Sequence, residues 1–420
     1  MAMDRATKAL ILRLAGGLAA VLLLSCPAHA KEEDWPQWLG PNRDSVSPDR
    51  GLAKKWPKRG PRPYWKASGI GVGFSSPVIW DKRVYITGDI GGKLVITAFS
   101  QKGKVEWKTA HDKAWDGGED GRYLGSRSSP TIANGKLYLL SAYGLVGCYD
   151  ATTGEKVWTL SVCEKFGTKP LGFGYSESLL VFRDKLFVTP GGKNCVVALN
   201  PDTGETIWTS REIREGANFS SCIGFEFEGI PLIANMTGKS MFCLHADTGE
   251  LLWRTERVAR TTRAVCSTPL YADGCVFGAT GYGNGGVCMK LSASEGKVTA
   301  KPIWETKDMD SHTGGYVLYK GHLYGAGKGG WCCIDFKTGK TKWRSRGVGA
   351  GSICYADKML YCYNERNGTI ALVVATPKKY IQTGECSVGG SGRSYAHPVV
   401  IDGRLYLRYD VNLYVFKLKR

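Results

Sequence analysis

One short ending recurs along this 420-residue chain and restricts its fold more than any other feature. Complete copies of T-G-[E/K]-x-x-W are Thr153-Gly-Glu-Lys-Val-Trp158, Thr203-Gly-Glu-Thr-Ile-Trp208, Thr248-Gly-Glu-Leu-Leu-Trp253 and Thr338-Gly-Lys-Thr-Lys-Trp343. Degenerate copies run from Gly103 to Trp107 and, with an insertion, from Gly296 to Trp304. Each ending closes a unit that opens on a Ser-Ser-Pro-like step, and the openings recur at Ser75, Ser128, Ser176, Ser220, Ser267, Thr313, Gly351 and Tyr395. A repeat of roughly 40–50 residues built from short strands is the mark of propeller blades.

Within each unit the turn dipeptides fall at one phase: Asn134-Gly135, Asp273-Gly274, Lys320-Gly321 and Asp402-Gly403. Asn, Asp and Gly tolerate the left-handed backbone of tight hairpins. They precede β-rich runs such as Lys136 to Leu140, Lys185 to Val188 and Arg404 to Arg408, and no window sustains a helical period. The expected fold is therefore all-β, an eight-bladed β-propeller of four-stranded blades. The last unit supplies only about three strands after Tyr395. Its missing outer strand is expected from Pro63-Tyr-Trp65-Lys-Ala, which closes the ring and hides two sheet edges. The chain then divides into a leader (1–30), an N-terminal extension packed on the propeller through Trp35, Trp38 and Trp56 (31–61), and a single propeller domain (62–420).

The repeat phase also assigns the conspicuous residues. Trp107, Trp158, Trp208, Trp253, Trp304 and Trp343 recur at blade spacing and read as wedges between blades, each worth ~3–5 kcal/mol against alanine. Cys148, Cys243 and Cys333 each lie six residues before a repeat glycine, where a small apolar side chain is wanted. Equivalent positions in separate blades argue against a disulfide framework, although 14 cysteines in an exported chain first suggest one. No Cys/His spacing of a zinc site occurs. The vicinal pair Cys332-Cys333 sits in a third strand, where alternation sends its thiols to opposite faces. Gly281 to Gly286 and Gly325 to Gly330 match G-x-G-x-x-G but open no helix, so they read as hairpin glycines.

The N-terminus carries Arg5, Lys8 and Arg13, an apolar run from Leu14 to Leu24 and an A-x-A step at Ala28-His29-Ala30, the pattern of an export signal. Leu23-Leu24-Ser25-Cys26 offers a second reading, a lipid anchor on Cys26. Either places the mature chain outside the cytoplasm, in the periplasm or cell envelope if the source is bacterial. The chain has 56 Lys+Arg against 38 Asp+Glu, a formal net charge of +18, and loses only Arg5, Lys8, Arg13 and Asp4 with the leader. This excess favours anionic partners. Export argues against nucleic acid and leaves an envelope protein, an acidic polysaccharide or a small anionic ligand; a monomer is expected.

The repeated T-G-x-x-x-W unit and the opening Trp35-Pro-Gln-Trp-Leu-Gly-Pro-Asn-Arg-Asp44 resemble the pyrroloquinoline-quinone-like, tryptophan-docked repeat propellers. That family includes BamB-like scaffold proteins and, more distantly, quinoprotein dehydrogenases, and the resemblance covers about residues 35 to 420. It implies the fold. It does not by itself imply the function, because one ring hosts both enzymes and scaffolds.

Function should reside in the funnel, lined by the loops that enter each innermost strand. These loops carry Arg127, Tyr175, Glu177, Asn218, Arg263, Asp310, His312, Arg393 and Tyr395. Convergent arginines could clamp a carboxylate or phosphate. A quinone- and calcium-dependent dehydrogenase would need Glu177 and Asn218 on the metal with Asp310 as base. That set matches the family's spacing poorly, and no aromatic platform for a quinone is evident. The acidic stretch Asp112 to Asp120 fits no standard calcium cage. The expectation is an exported, non-catalytic binding or scaffold module without a cofactor. A quinone dehydrogenase with PQQ and Ca²⁺, and an anionic-polysaccharide binder, are the alternatives.

Overall fold

The computed structural model describes residues 34–118, 121, 123–258 and 264–419; the leader, Cys26 and Arg263 lie outside them. Eight antiparallel sheets of four strands each form an eight-bladed propeller. Blade 1 runs from Val78 to Lys113, blade 2 from Thr131 to Ser161, blade 3 from Leu180 to Thr209 and blade 4 from Ile223 to Thr255. Blade 5 runs from Leu270 to Thr306, blade 6 from Tyr316 to Ser345, blade 7 from Gly351 to Ser387 and blade 8 from Val399 to Lys417. The fourth strand of blade 8 is Arg62–Ser68, paired antiparallel with Asn412–Lys417. A five-residue helix, Val162–Phe166, is the one departure from the all-β reading among the described residues. It is capped by Ser161, whose side chain accepts from the Glu164 N–H, and by left-handed Gly167.

The repeat ending works by docking. The Trp ring of one blade lies against the T-G glycine of the next: a Cβ on Gly154 would stand 2.5 Å from the Trp107 ring, on Gly204 2.9 Å from Trp158, and on Gly249 2.5 Å from Trp208. The indole N–H then donates to a neighbouring carbonyl, Trp158 to Pro201, Trp208 to Ala246 and Trp304 to Phe336. Trp65 does the same toward Gln101, so the closing strand carries its own wedge. Opposite each tryptophan stands a small residue: Ala98, Cys148, Ala198, Cys243, Cys288 and Cys333 face Trp107, Trp158, Trp208, Trp253, Trp304 and Trp343. This explains the periodic cysteines, and all thirteen cysteines of the described residues are free thiols. Cys332 and Cys333 do face different inter-blade cores, the first with Phe277 and the second with Tyr355.

Blade 5 departs from the pattern. Its outer hairpin, Gly285–Ser294 with Lys297–Thr306, is long enough that Trp253 packs on Met289, Leu291 and Val298 instead of a T-G turn.

The Ser-Ser-Pro step has an equally physical role. The Ser76 N–H donates to Ser129 Oγ (2.8 Å), Ser129 N–H to Ser178 Oγ (2.9 Å) and Ser178 N–H to Ser221 Oγ (3.0 Å). The His397 N–H extends the series from blade 8 onto Ser76 Oγ at 2.7 Å. These bonds run from blade to blade around the axis, where strand ends would otherwise leave buried N–H groups unpaired.

The N-terminal extension is a plug. Trp35 bridges Ile79 of blade 1, and Pro36 O accepts from Ile132 of blade 2. Arg43 is buried and donates to Ser178 O (3.0 Å), Leu179 O and Cys222 O (2.8 Å) of blades 3 and 4. Val46–Ser47 adds a parallel strand to the inner edge of blade 7. Leu39, Arg43 and Ser45 all adopt φ near +55 to +60, so the segment is tightly folded rather than extended. It crosses the ring at the end where the innermost strands finish, marked by the Asp81 N–H donating to Asp34 Oδ1.

Candidate functional site: an aromatic well

With one end plugged, the channel becomes a well that opens at the end where the innermost strands begin. Its cavity measures about 220 Å³. Trp38, carried in by the plug, lies in it with its N–H on Thr268 Oγ1 (3.2 Å) and its ring 4.4 Å from that of His397.

The wall is a near-continuous arc of rings. Phe219, Phe173 and Tyr123 follow one another at centroid separations of 6.2 and 5.7 Å. Tyr123 leads to Tyr395 (6.4 Å), Tyr395 to His312 (6.1 Å) and His312 to Tyr282 (5.1 Å), while Phe74 lies 5.2 Å from Tyr395. Edge-to-face and tilted contacts of this kind fix the rings mutually.

Two polar stations interrupt the arc. Arg127 stacks over Phe74 and Trp115 at 5.7 and 5.9 Å and donates to the carbonyls of Gly125 (3.1 Å) and Tyr123. Burial lowers its guanidinium to about 10, with Asp89 opposing the shift, so it remains a cation at neutral pH. Among the described residues no carboxylate lies within ion-pair distance of it.

The second station is a chain of hydrogen bonds: Glu365 Oε2 lies 3.1 Å from His312 Nδ1, and His312 Nε2 lies 2.9 Å from the Tyr282 hydroxyl. Thr313 donates to the same carboxylate at 3.0 Å. Burial alone would raise the Glu365 carboxyl, but the His312 and Thr313 hydrogen bonds with the nearby positive charges outweigh it and hold it low. Tyr282 has φ +64, an uncommon conformation for a bulky residue. Gly281 permits it, since a Cβ there would meet His312 Cα at 2.9 Å. The glycine motif read from sequence as a hairpin is thus also what brings a tyrosine onto a histidine.

Of the residues expected in the funnel, Arg127, His312 and Tyr395 line the well. Tyr175 is buried beside it, with its hydroxyl donating to Pro190 O at 3.0 Å. Glu177 is buried under the wall, where it accepts from the Thr189 N–H (2.6 Å) and hydroxyl (2.8 Å); burial raises its carboxyl to about 7. Asn218 Oδ1 accepts from the Val265 N–H at 2.7 Å, and Asp310 Oδ1 from the Gly283 N–H at 2.9 Å, pinning the loop that carries Tyr282. Arg393 is half-buried near Tyr395 but does not line the cavity. Glu177, Asn218 and Asp310 each serve a different backbone segment and do not converge on one point. Among the described residues no three His, Cys, Asp or Glu side chains are grouped to hold a metal.

The aromatic arc was not read from sequence, yet a signal existed. Phe74, Arg127, Phe219 and Cys266 each stand immediately before Ser75, Ser128, Ser220 and Ser267, and all four line the well. The position before the serine step points into the channel. Glu177, one residue after the lining Ser176, points away from it.

A family model described as outer membrane protein assembly factor BamB matches residues 91–345, more than half of the chain. The chain belongs to this family. Curated BamB-family relatives include outer membrane protein assembly factor BamB of Burkholderia pseudomallei, 26% identical over 272 residues, which covers 54% of this chain and 67% of that protein. The quinoprotein ethanol dehydrogenase of Pseudomonas aeruginosa is 26% identical over 152 residues, 32% of this chain and 23% of that enzyme. The match spans less than a third of the length of the curated dehydrogenases. Among solved structures, BamB from Moraxella catarrhalis superposes with a TM-score of 0.61 at 13% identity over 85% of this chain and 98% of that one. A europium-containing methanol dehydrogenase gives 0.70 at 13% identity over 92% and 98%. Both likenesses are of fold. No described helix of this BamB-family chain is long and apolar enough to cross a membrane.

Proposed function

We propose that the chain is an exported, non-catalytic binding module of the cell envelope and that its working surface is the mouth of the aromatic well. The observation that carries this reading is the well itself: a preformed, largely apolar cup in which Arg127 is the cation without a carboxylate at ion-pair distance and in which, among the described residues, no three His, Cys, Asp or Glu side chains are grouped to hold a metal. Sites with a few placed polar groups on an apolar wall are the usual form of binding pockets. Kinship with outer membrane assembly factors supports an envelope protein as the partner. The dehydrogenase reading lacks a cage for calcium, since Glu177 is committed to Thr189 and Asp310 to Gly283.

A photo-crosslinking residue at Leu124, an exposed leucine beside the rim, should capture an envelope protein in intact cells. The same residue at Val157, exposed on the outer strand of blade 2, should not. Purified protein supplied with PQQ and Ca²⁺ should give no dye-linked alcohol oxidation. Quinone-dependent turnover would overturn the reading.

A further inference from the structure

The rings and the arginine of the well define a chemistry more specific than binding in general. Arg127 presents a guanidinium that lies 5.7 Å from the Phe74 ring and 5.9 Å from the Trp115 ring and donates to the carbonyls of Gly125 and Tyr123, which leaves part of its fork of N–H donors for a ligand. An edge-on guanidinium accepts a carboxylate in its own plane, and partial desolvation strengthens that pairing. Next to it, Tyr395 is flanked by Phe74, Tyr123 and His312, all of whose rings lie within 6.4 Å. A ring entering beside the cation would therefore meet aromatic edges and faces on several sides.

The opposite wall is held rigid. Glu365 orients His312, His312 fixes Tyr282, and Asp310 pins the turn at Gly283. The left-handed backbone of Tyr282 is retained at that place because these contacts hold it there. A wall held in this way need not be ordered by the ligand, which reduces the entropy lost on binding. The closed floor at Trp38 limits depth, so the cavity of about 220 Å³ suits a ligand of one ring and a short chain rather than an extended polymer passing through.

We propose that the well binds an organic anion built from a single aromatic ring and a carboxylate, with the carboxylate on Arg127 and the ring against Phe74 and Tyr395. The same chemistry is presented by a free arylalkanoic acid and by the C-terminal aromatic residue of a polypeptide. This assignment rests on the reading of the well as a binding site.

Isothermal titration calorimetry of the mature protein separates the possibilities. With 3-phenylpropionate as probe, binding should be at least about tenfold tighter than with 3-phenylpropanamide, which keeps the ring and loses the charge. Arg127→Gln should weaken the acid by about 10- to 100-fold, the range of a charge-assisted hydrogen-bonded pair, and leave the amide unchanged. Phe74→Leu should weaken acid and amide alike. N-acetylphenylalanine that binds as well as 3-phenylpropionate identifies a chain terminus as the source; its exclusion identifies a free acid. Equal affinity for acid and amide, indifference to Arg127→Gln in a variant of unchanged melting temperature, or no binding of either acid would overturn the assignment. If neither acid binds while rim crosslinks persist, the binding-module reading stands and only the ligand class falls. Quinone-dependent turnover would instead defeat the reading beneath it.

Discussion

The two ends of the channel each hold an arginine, and the two have opposite fates. At the plugged end Arg43 is buried and its guanidinium is shared among Ser178 O, Leu179 O, Cys222 O and Gln37 Oε1. At the open end Arg127 spends its donors on two carbonyls and keeps an edge toward the cavity. Burial lowers both cations to about 10. Arg43 donates to three backbone carbonyls and ties the plug to blades 3 and 4. Arg127 is held in place without being satisfied. One residue type thus serves structure where its donors are exhausted and recognition where they are not.

This contrast can be broken from either side. Replacing Arg43 with Met should cost the most, about 3–5 kcal/mol, because buried carbonyls lose their donor and the plug loses its tie; urea denaturation measures it, and a loss below 1 kcal/mol would mean that the plug is dispensable. Trp38→Ala should cost about 2–3 kcal/mol, less than a fully buried tryptophan since Trp38 is partly exposed to the well, and should deepen the cavity toward the plug.

The third test is pH. Burial raises Glu177 from 4.5 to about 7, with Thr189 and Arg43 opposing, so the folded chain holds this proton more tightly than the unfolded one. Its contribution is present below pH 4.5 and is lost as pH rises toward 7. Glu177→Gln cannot titrate, and it should gain about 2–3 kcal/mol relative to the parent between pH 5 and pH 8. The difference between the two proteins is the quantity to measure. His111 and His397, both pushed down to about 4 by burial, give the opposite slope in each and cancel. A pH-independent difference would place Glu177 in the solvated range. The smallest effect belongs to Arg127→Gln, which should change stability by less than about 0.5 kcal/mol. A large loss there would make Arg127 a second Arg43 and remove the contrast.

How much of this was legible follows from where periodicity acts. The blades were, because Trp158, Cys148 and Gly154 recur for one packing reason and the same reason recurs in each sector. The closing strand was, because Trp65 repeats the wedge. The plug was legible only as an extension. Nothing in Trp35 to Asp44 tells which end of the ring it crosses, and Arg43 reads as a surface charge until its carbonyl partners are known. The well was legible only in part. Phe74 and Phe219 keep the repeat phase, but Tyr123, Phe173 and Tyr282 come from loops of unequal length and meet only in three dimensions. Glu177 shows the reverse error. It stands one residue past the lining position that Ser176 holds, and its side chain turns inward to Thr189.

The pairing of Arg62 with Lys417 has a consequence for how this molecule is made. Strand Arg62–Ser68 waits for Asn412–Lys417, so its partner does not exist until the seven preceding blades have been synthesised. Closing so long a loop is slow, and until it closes blade 8 is a three-stranded sheet with an exposed edge. A chain truncated by a few residues at its C-terminus should therefore fail as a whole ring rather than lose one blade.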